Sequence, residues 1–150
     1  MKIFIDGSAG TTGLRIKDRL MKRSDVELTT LSEEQRKDTE SRKQALNSAQ
    51  VAFLCLPDAA AVESVELVEN PDTVIIDTST AHRTSEGWAY GFPELSAEFE
   101  DKIKNSKRIA VPGCHAGGVI ALVYPLVEAG VLGNDALLSC YSLTGYSGGG

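Results

Sequence analysis

One cysteine of this sequence follows a strand-like apolar run and precedes a long segment of small and apolar residues. Cys114 comes three residues after Val111, behind the Pro112-Gly113 pair. At a helix start, unpaired backbone N–H groups and the positive end of the helix dipole favour an anion. Cysteines in such places, or beside cations, have pKa values of roughly 3.5–7.5, against about 8.5 for free cysteine. We therefore predict that Cys114 is a covalent nucleophile; a buried structural cysteine is the alternative.

A glycine-rich turn near the N-terminus has the composition of a phosphate-binding loop. It follows an apolar strand over residues 2–6 and opens a helical segment that reaches about residue 22. Glycines permit a tight turn and close backbone approach, and the helix N-terminus faces the phosphates. The GxxGxxG spacing predicts a dinucleotide pyrophosphate site, with a purely structural turn as the alternative. Its residues are Gly7, Ser8, Ala9, Gly10, Thr11, Thr12 and Gly13.

The residues after the second predicted strand indicate which dinucleotide is bound. Ser32 lies at the end of this strand, and Arg36 is four residues further along the chain. A hydroxyl with a nearby arginine suits the 2′-phosphate of NADP, because arginine pairs bidentately with phosphate oxygens. Glu33 and Glu34 lie between them and weaken the prediction. A solvated charged turn is the alternative.

A second polar group follows the strand predicted at residues 74–77. Hydroxyl side chains and one cation meet there, and ligands of open α/β sheets bind at the carboxyl ends of the strands. We predict that Ser79 and Arg83 bind an anionic substrate, with a surface ion pair as the alternative for Arg83. The neighbouring His82 is more typical of a solvated or structural histidine.

The elements that must position these groups alternate between strand and helix. Strands are predicted over residues 2–6, 26–31, 51–56, 74–77 and 109–111, with helices between them. The pattern is typical of a Rossmann-type α/β fold, a doubly wound and mostly parallel sheet. Asp58 is expected to cap a helix over residues 59–69. A further strand is predicted over residues 136–143, with Cys140 in the core.

The composition excludes several classes of protein. A formal net charge of −6 argues against a general nucleic-acid binder. There is no run of 18 apolar residues, so we expect no membrane span. Three cysteines without CxxC spacing and two histidines suggest neither a disulfide framework nor a metal site. A cytoplasmic protein is expected.

Six motifs, in this order, resemble the N-acetyl-gamma-glutamyl-phosphate reductase family, specifically its shorter second type. Five of them are the glycine turn, Cys55-Leu56-Pro57-Asp58, residues 77–83, residues 90–95 and residues 112–118. The sixth is Gly145-Tyr146-Ser147-Gly148-Gly149.

The resemblance implies reduction of N-acetyl-glutamyl 5-phosphate by NADPH in arginine biosynthesis, with release of phosphate. Cys114 would be the thiolate that attacks the acyl phosphate, while Pro57, Ser147 and Gly148 would lie by the cofactor. The resemblance also implies a dimer or tetramer, and a general acid/base histidine in a second domain, a role that His115 is not expected to take.

The chain is expected to divide into a nucleotide-binding domain over residues 1–111 and the beginning of an α+β substrate domain over residues 112–150. We expect a fragment that binds cofactor weakly and is inactive on its own. Two other functions stay open: an enzyme like aspartate-semialdehyde dehydrogenase, and a non-catalytic nucleotide-binding module.

Overall fold

The computed structural model describes residues 1–145, which form a six-stranded sheet flanked by helices. Every strand pair is parallel, and the strand order is β2-β1-β3-β4-β6-β5. The strands are β1 (Lys2–Asp6), β2 (Glu27–Thr29), β3 (Val51–Leu54), β4 (Val74–Asp77), β5 (Ala89–Tyr90) and β6 (Arg108–Ala110). The helices are α1 (Thr11–Leu20), α2 (Thr39–Ser48), α3 (Asp58–Glu66), α4 (Ala97–Asn105) and α5 (Cys114–Glu128), with a 3₁₀ turn over Pro93–Leu95.

The topology confirms the predicted Rossmann-type fold. The chain leaves β1 toward β2 on one side and returns to β3 on the other, so the winding reverses between β1 and β3. In open α/β sheets the ligand crevice lies at this point, outside the carboxyl ends of the strands. The glycine turn follows β1 and Cys55 follows β3, so both lie at this crevice.

The core is built from the central strands and the helices that cover them. Parallel strands covered on both faces are apolar along most of their length. Phe4, Leu54 and Ile75 are fully buried and come from three adjacent strands. Smaller residues of α2 and α3 pack on them: Ala45, Leu46 and Ala61. This core fixes the strand ends that carry the polar groups.

Asp58 does not cap α3, contrary to the prediction. The helix begins at Asp58 itself, after Pro57, and it ends at Glu66 rather than residue 69. The Asp58 carboxylate instead accepts hydrogen bonds from the backbone N–H (2.9 Å) and the hydroxyl of Thr80. The sequence did not reveal these competing donors, because Thr80 lies beyond the end of a different strand, β4.

The strand predicted over residues 136–143 is wrong. These residues form neither strand nor helix, and Cys140, expected in the core, is exposed. Leu137 is fully exposed and Leu143 nearly so. An apolar run becomes a strand only when it pairs with a neighbour, and this one pairs with none of the strands in residues 1–145.

None of the helices within residues 1–145 is long and apolar enough to cross a membrane.

Candidate active site

The glycine turn is held tightly against the sheet by its backbone. Gly7 has φ +83°, a conformation that side chains oppose, and a Cβ placed on it would lie 2.2 Å from the Cys55 carbonyl oxygen. A Cβ on Gly13 would lie 2.4 Å from the Gly7 carbonyl oxygen. Gly10 precedes α1, and no side chain caps the first turn. The first N–H groups of α1 are therefore available to a phosphate, and the turn fits a dinucleotide pyrophosphate.

Cys114 is the first residue of α5, as predicted, and it is exposed. Gly113 precedes it in an extended conformation, with φ −74° and ψ 150°, and makes no side-chain cap. The first N–H groups of α5 are therefore not capped by a side chain, and such groups at a helix start favour an anion.

One cleft with a volume of about 1110 Å³ joins these two turns. Gly10, Thr11 and Thr12 line one side of it, and the segment from Val111 to Ala116 lines another. Cys55, Leu56 and Thr78 line it between these segments, at the ends of β3 and β4. The structure thus brings the predicted nucleophile and the predicted phosphate loop into a single cleft.

Arg83 also lines the cleft, where it bridges two loops. Its Nε donates to the Val111 carbonyl oxygen (3.0 Å) and its Nη2 to the Thr78 carbonyl oxygen (3.3 Å). A Cβ on Gly113 would lie 2.6 Å from Arg83 Nη1, so the guanidinium rests directly against the residue before Cys114. Within residues 1–145, none of the cleft's lining side chains is Asp or Glu.

Ser79 is placed differently from Arg83. It is buried, its hydroxyl donates to Asp77 Oδ2 (2.6 Å) and its backbone N–H donates to Asp77 Oδ1 (2.9 Å). The serine thus builds the loop that carries Arg83, and its role in substrate binding stays a prediction.

The predicted 2′-phosphate residues lie in the turn after β2. Ser32 is exposed, and its hydroxyl accepts from the Gln35 N–H (3.2 Å). Arg36 is half-buried, and its Nε is buried without a hydrogen-bond acceptor among the described residues. Glu33, which weakened the prediction, pairs with Lys37 at 3.8 Å in solvent.

His82 was predicted to be solvated or structural, and neither Asp6 nor Arg15 was predicted to lie at the cleft. Arg15 of α1 lines it, one helical turn beyond Thr11 and Thr12. Asp6, directly before the glycine turn, is buried and pairs with Arg42 of α2 at 3.0 Å. His82 is buried and bonds Asp77. An arginine four residues after Thr11 was a readable signal, because such residues share a helix face; the two buried pairs gave none.

The two cysteines of the cleft differ in environment. Cys55 is half-buried, and burial raises the pKa of its thiol to about 11. The Cys55 thiol is therefore neutral near pH 7, while Cys114 is open to solvent. His115, beside Cys114, bonds the Ser142 hydroxyl. Pro57 is the residue before α3, and the predicted Ser147 and Gly148 lie outside the described residues.

Comparison with known proteins decides the family. The family model described as the NAD-binding domain of semialdehyde dehydrogenase matches residues 2–105. This chain belongs to the semialdehyde dehydrogenase NAD-binding domain family. The domain binds a nicotinamide nucleotide.

Relatives of this semialdehyde dehydrogenase domain confirm the resemblance in the motifs. N-acetyl-gamma-glutamyl-phosphate reductase 2 of Pseudomonas putida is 52% identical over 148 residues, which cover 99% of this chain and 47% of the relative. The N-acetyl-gamma-glutamyl-phosphate reductase of Chelativorans sp. is 54% identical, covering 99% and 48%. The chain thus spans about half the length of the curated relatives it matches.

Solved structures share the fold. Aspartate semialdehyde dehydrogenase from Francisella tularensis superposes with a TM-score of 0.64 at 17% identity, covering 87% of this chain and 41% of that one. The Candida albicans enzyme, solved with NADP, gives 0.60 at 19% identity, covering 85% and 46%.

Proposed function

We propose that this chain is the nucleotide-binding and thiol-bearing part of an NADPH-dependent N-acetyl-glutamyl 5-phosphate reductase, an enzyme of arginine biosynthesis. One observation carries the proposal: the exposed sulfur of Cys114 lines the same cleft as the glycine turn and Arg83. The relatives at about 50% identity bear the name of this reductase and support the choice of substrate.

Cys114 would act as the nucleophile. Its thiolate attacks the acyl carbon, the new C–S bond forms, and the C–O bond to phosphate breaks, so orthophosphate leaves and a thioester remains on the protein. NADPH bound at the glycine turn would supply the hydride that converts this thioester into the anion of a thiohemiacetal. Breaking the C–S bond then releases the semialdehyde and restores the thiolate. Covalent catalysis of this kind divides one difficult step into easier ones.

The start of α5 would stabilise the charge that develops on the carbonyl oxygen. Its first N–H groups have no side-chain cap and lie at the sulfur-bearing end of the helix. One oriented donor of this kind is typically worth about 3–4 kcal/mol in the transition state. Arg83, resting against Gly113, would bind the phosphoryl oxygens and stabilise the leaving phosphate.

The preference for NADPH is assigned to Ser32 and Arg36. The Arg36 Nε is buried without an acceptor among the described residues, which suits an arginine whose partner is a ligand phosphate. Glu33 pairs with Lys37, so this carboxylate is engaged by a cation other than Arg36. Arg15, which also lines the cleft, adds positive charge for two anionic ligands.

Replacing the thiol tests the covalent step. In the chain extended to the relatives' length, we expect Cys114→Ser to lower kcat at least about a thousandfold while the Kd for NADPH stays unchanged, because a hydroxyl is a far weaker nucleophile than a thiolate. Turnover is followed by NADPH absorbance and Kd by fluorescence titration. Cys140→Ser, at an exposed cysteine of the irregular segment over residues 136–143, is the matched control and should retain activity. Retained turnover in Cys114→Ser would remove the covalent mechanism.

Replacing Arg36 tests the nucleotide preference. We expect Arg36→Ala to weaken NADPH binding by about tenfold to a hundredfold and NADH binding little, since only NADPH carries the 2′-phosphate. Lys37→Ala, on the neighbouring residue, is the control for general loss of positive charge. Equal losses for both nucleotides would show that the 2′-phosphate is bound elsewhere.

Two other functions lead to different results. An enzyme like aspartate-semialdehyde dehydrogenase would turn over aspartyl phosphate faster than N-acetyl-glutamyl phosphate. A nucleotide-binding module would turn over neither, and its Cys114 would be alkylated no faster than Cys140. The homo-oligomer, the cytoplasmic location and the domain boundary after residue 111 stay predictions.

A further inference from the structure

The loop that ends in Arg83 is built around one buried carboxylate. Asp77, at the end of β4, has no solvent-exposed surface. It accepts hydrogen bonds from the N–H and the hydroxyl of Ser79, and its Oδ2 lies 2.7 Å from His82 Nδ1. A buried carboxylate is stable only when donors satisfy it. Residues 78–83 form this loop. Ser79 near its start and His82 near its end thus contact the same side chain, Asp77.

The imidazole of His82 is held on its other side by an aromatic ring. It stacks on Trp88 with ring centroids 4.1 Å apart and planes inclined by 12°. The residue is 8% exposed and is not among those that line the cleft. His82 therefore touches neither the cleft nor the reacting atoms, and any effect it has on chemistry must pass through its neighbours.

A second carboxylate fixes the middle of the loop. Asp58 accepts from the Thr80 N–H and hydroxyl, and these bonds lower the pKa of Asp58. The Thr78 hydroxyl donates to the Leu54 carbonyl oxygen at 2.9 Å. The loop is therefore hydrogen-bonded to β3 through Thr78, to α3 through Thr80 and to β4 through Ser79. The side chain of the last residue, Arg83, leaves the loop and reaches the Val111 carbonyl oxygen and Gly113.

We propose that His82, through Asp77, is a positioning residue that holds the Arg83 guanidinium against Gly113, at the turn that carries Cys114. Arg83 directly follows His82, and two of its nitrogens are fixed by the carbonyls of Thr78 and Val111, with the third against Gly113. A long side chain keeps one such geometry only while its backbone is fixed. That the guanidinium there binds the phosphoryl group of an acyl phosphate rests on the proposed function; its position against Gly113, in the cleft that Cys114 also lines, does not.

Alkylation of Cys114 measures the position of the cation without turnover. Iodoacetate is anionic and iodoacetamide is neutral, so the ratio of their rates cancels the thiolate fraction and reports the local charge. The ratio is determined on the 150-residue chain by mass spectrometry of the Cys114 peptide. Cys140, exposed in the irregular segment, is the internal reference.

We expect Arg83→Met to lower the Cys114 ratio about fivefold at low salt, and His82→Leu to give most of that fall. His82→Asn places an amide donor where Nδ1 stood and should recover most of the ratio, whereas His82→Gln should not. The double variant His82→Leu/Arg83→Met should fall no further than Arg83→Met alone, since both changes act on one group. Thr84→Ala, at the exposed next residue, is the matched control.

A wild-type ratio in folded His82→Leu, whatever its melting temperature, would make the histidine purely structural and overturn the proposal. If His82→Leu does not fold, the Asn and Gln variants decide it, and equal ratios for them overturn it. An iodoacetate-to-iodoacetamide ratio at Cys114 that is unchanged in Arg83→Met would also overturn it. If the alkylation ratios change as expected but the protein reduces no acyl phosphate, this inference is retained and only the proposed function is rejected.

Discussion

The two strand-to-helix turns that meet in the cleft begin their helices alike and are fixed by different means. Gly10 and Gly113 both precede a helix in an extended conformation without a side-chain cap. The first turn is held by backbone: a Cβ on Gly7 or Gly13 would lie within 2.4 Å of a carbonyl oxygen. The second is held by a side chain, because the atom that meets Gly113 belongs to Arg83.

This difference matches the roles proposed for the two turns. A dinucleotide pyrophosphate is the same in every turnover, so a rigid cradle backed by the buried Asp6–Arg42 pair suits it. The turn that carries Cys114 would meet a substrate whose charge changes as phosphate leaves. A flexible arginine can follow that change, provided that its own backbone is fixed.

The sharpest contrast between the turns concerns backbone crowding. We expect Gly7→Ala to lower the free energy of unfolding by about 3 kcal/mol or more and to abolish nucleotide binding, because the new Cβ meets a backbone oxygen at a positive φ. Urea unfolding measures the loss. Gly118→Ala, in the open interior of α5, is the matched control and should stabilise by about 0.5–1 kcal/mol. A neutral Gly7→Ala would show that the first turn is not fixed by its backbone.

The two cysteines extend the comparison to pH. With the pKa of Cys55 raised to about 11 by burial, its thiolate fraction at pH 7 is at least about a hundredfold below that of free cysteine. We expect iodoacetamide to label Cys114 at pH 7 while Cys55 stays unreacted. Because a raised pKa favours the neutral thiol, Cys55 labelling should keep rising from pH 9 to about 11. Equal labelling at pH 7 would contradict the burial of Cys55.

The smallest effect is expected at the second turn. Gly113→Ala brings a methyl group to 2.6 Å from Arg83 Nη1, and the end of a flexible side chain can move away. We expect a loss of about 1 kcal/mol or less in unfolding free energy and a fall of about twofold in the iodoacetate-to-iodoacetamide ratio at Cys114. A loss as large as that of Gly7→Ala would mean that backbone fixes both turns.

Much of the fold was readable because its signals are local. Glycines after a strand predicted the phosphate turn, and alternation of apolar runs with helical segments predicted the parallel sheet. The start of α5 at Cys114 was also predicted correctly. The failures came where a partner decided the outcome: Asp58 bonds Thr80 instead of capping its helix, and residues 136–143 form no strand because no neighbour pairs with them.

The sequence by itself determined which chemical groups stand at each strand end: a glycine turn, a cysteine at a helix start, and a serine and an arginine after β4. Only the tertiary structure decided which of them meet. Sheet order brings the ends of β1, β3, β4 and β6 to one edge, so Cys114 and Arg83 share a cleft with Gly10 while Ser79 is buried beneath them. Contacts between residues far apart in the chain depend on that order, which no short stretch of sequence encodes.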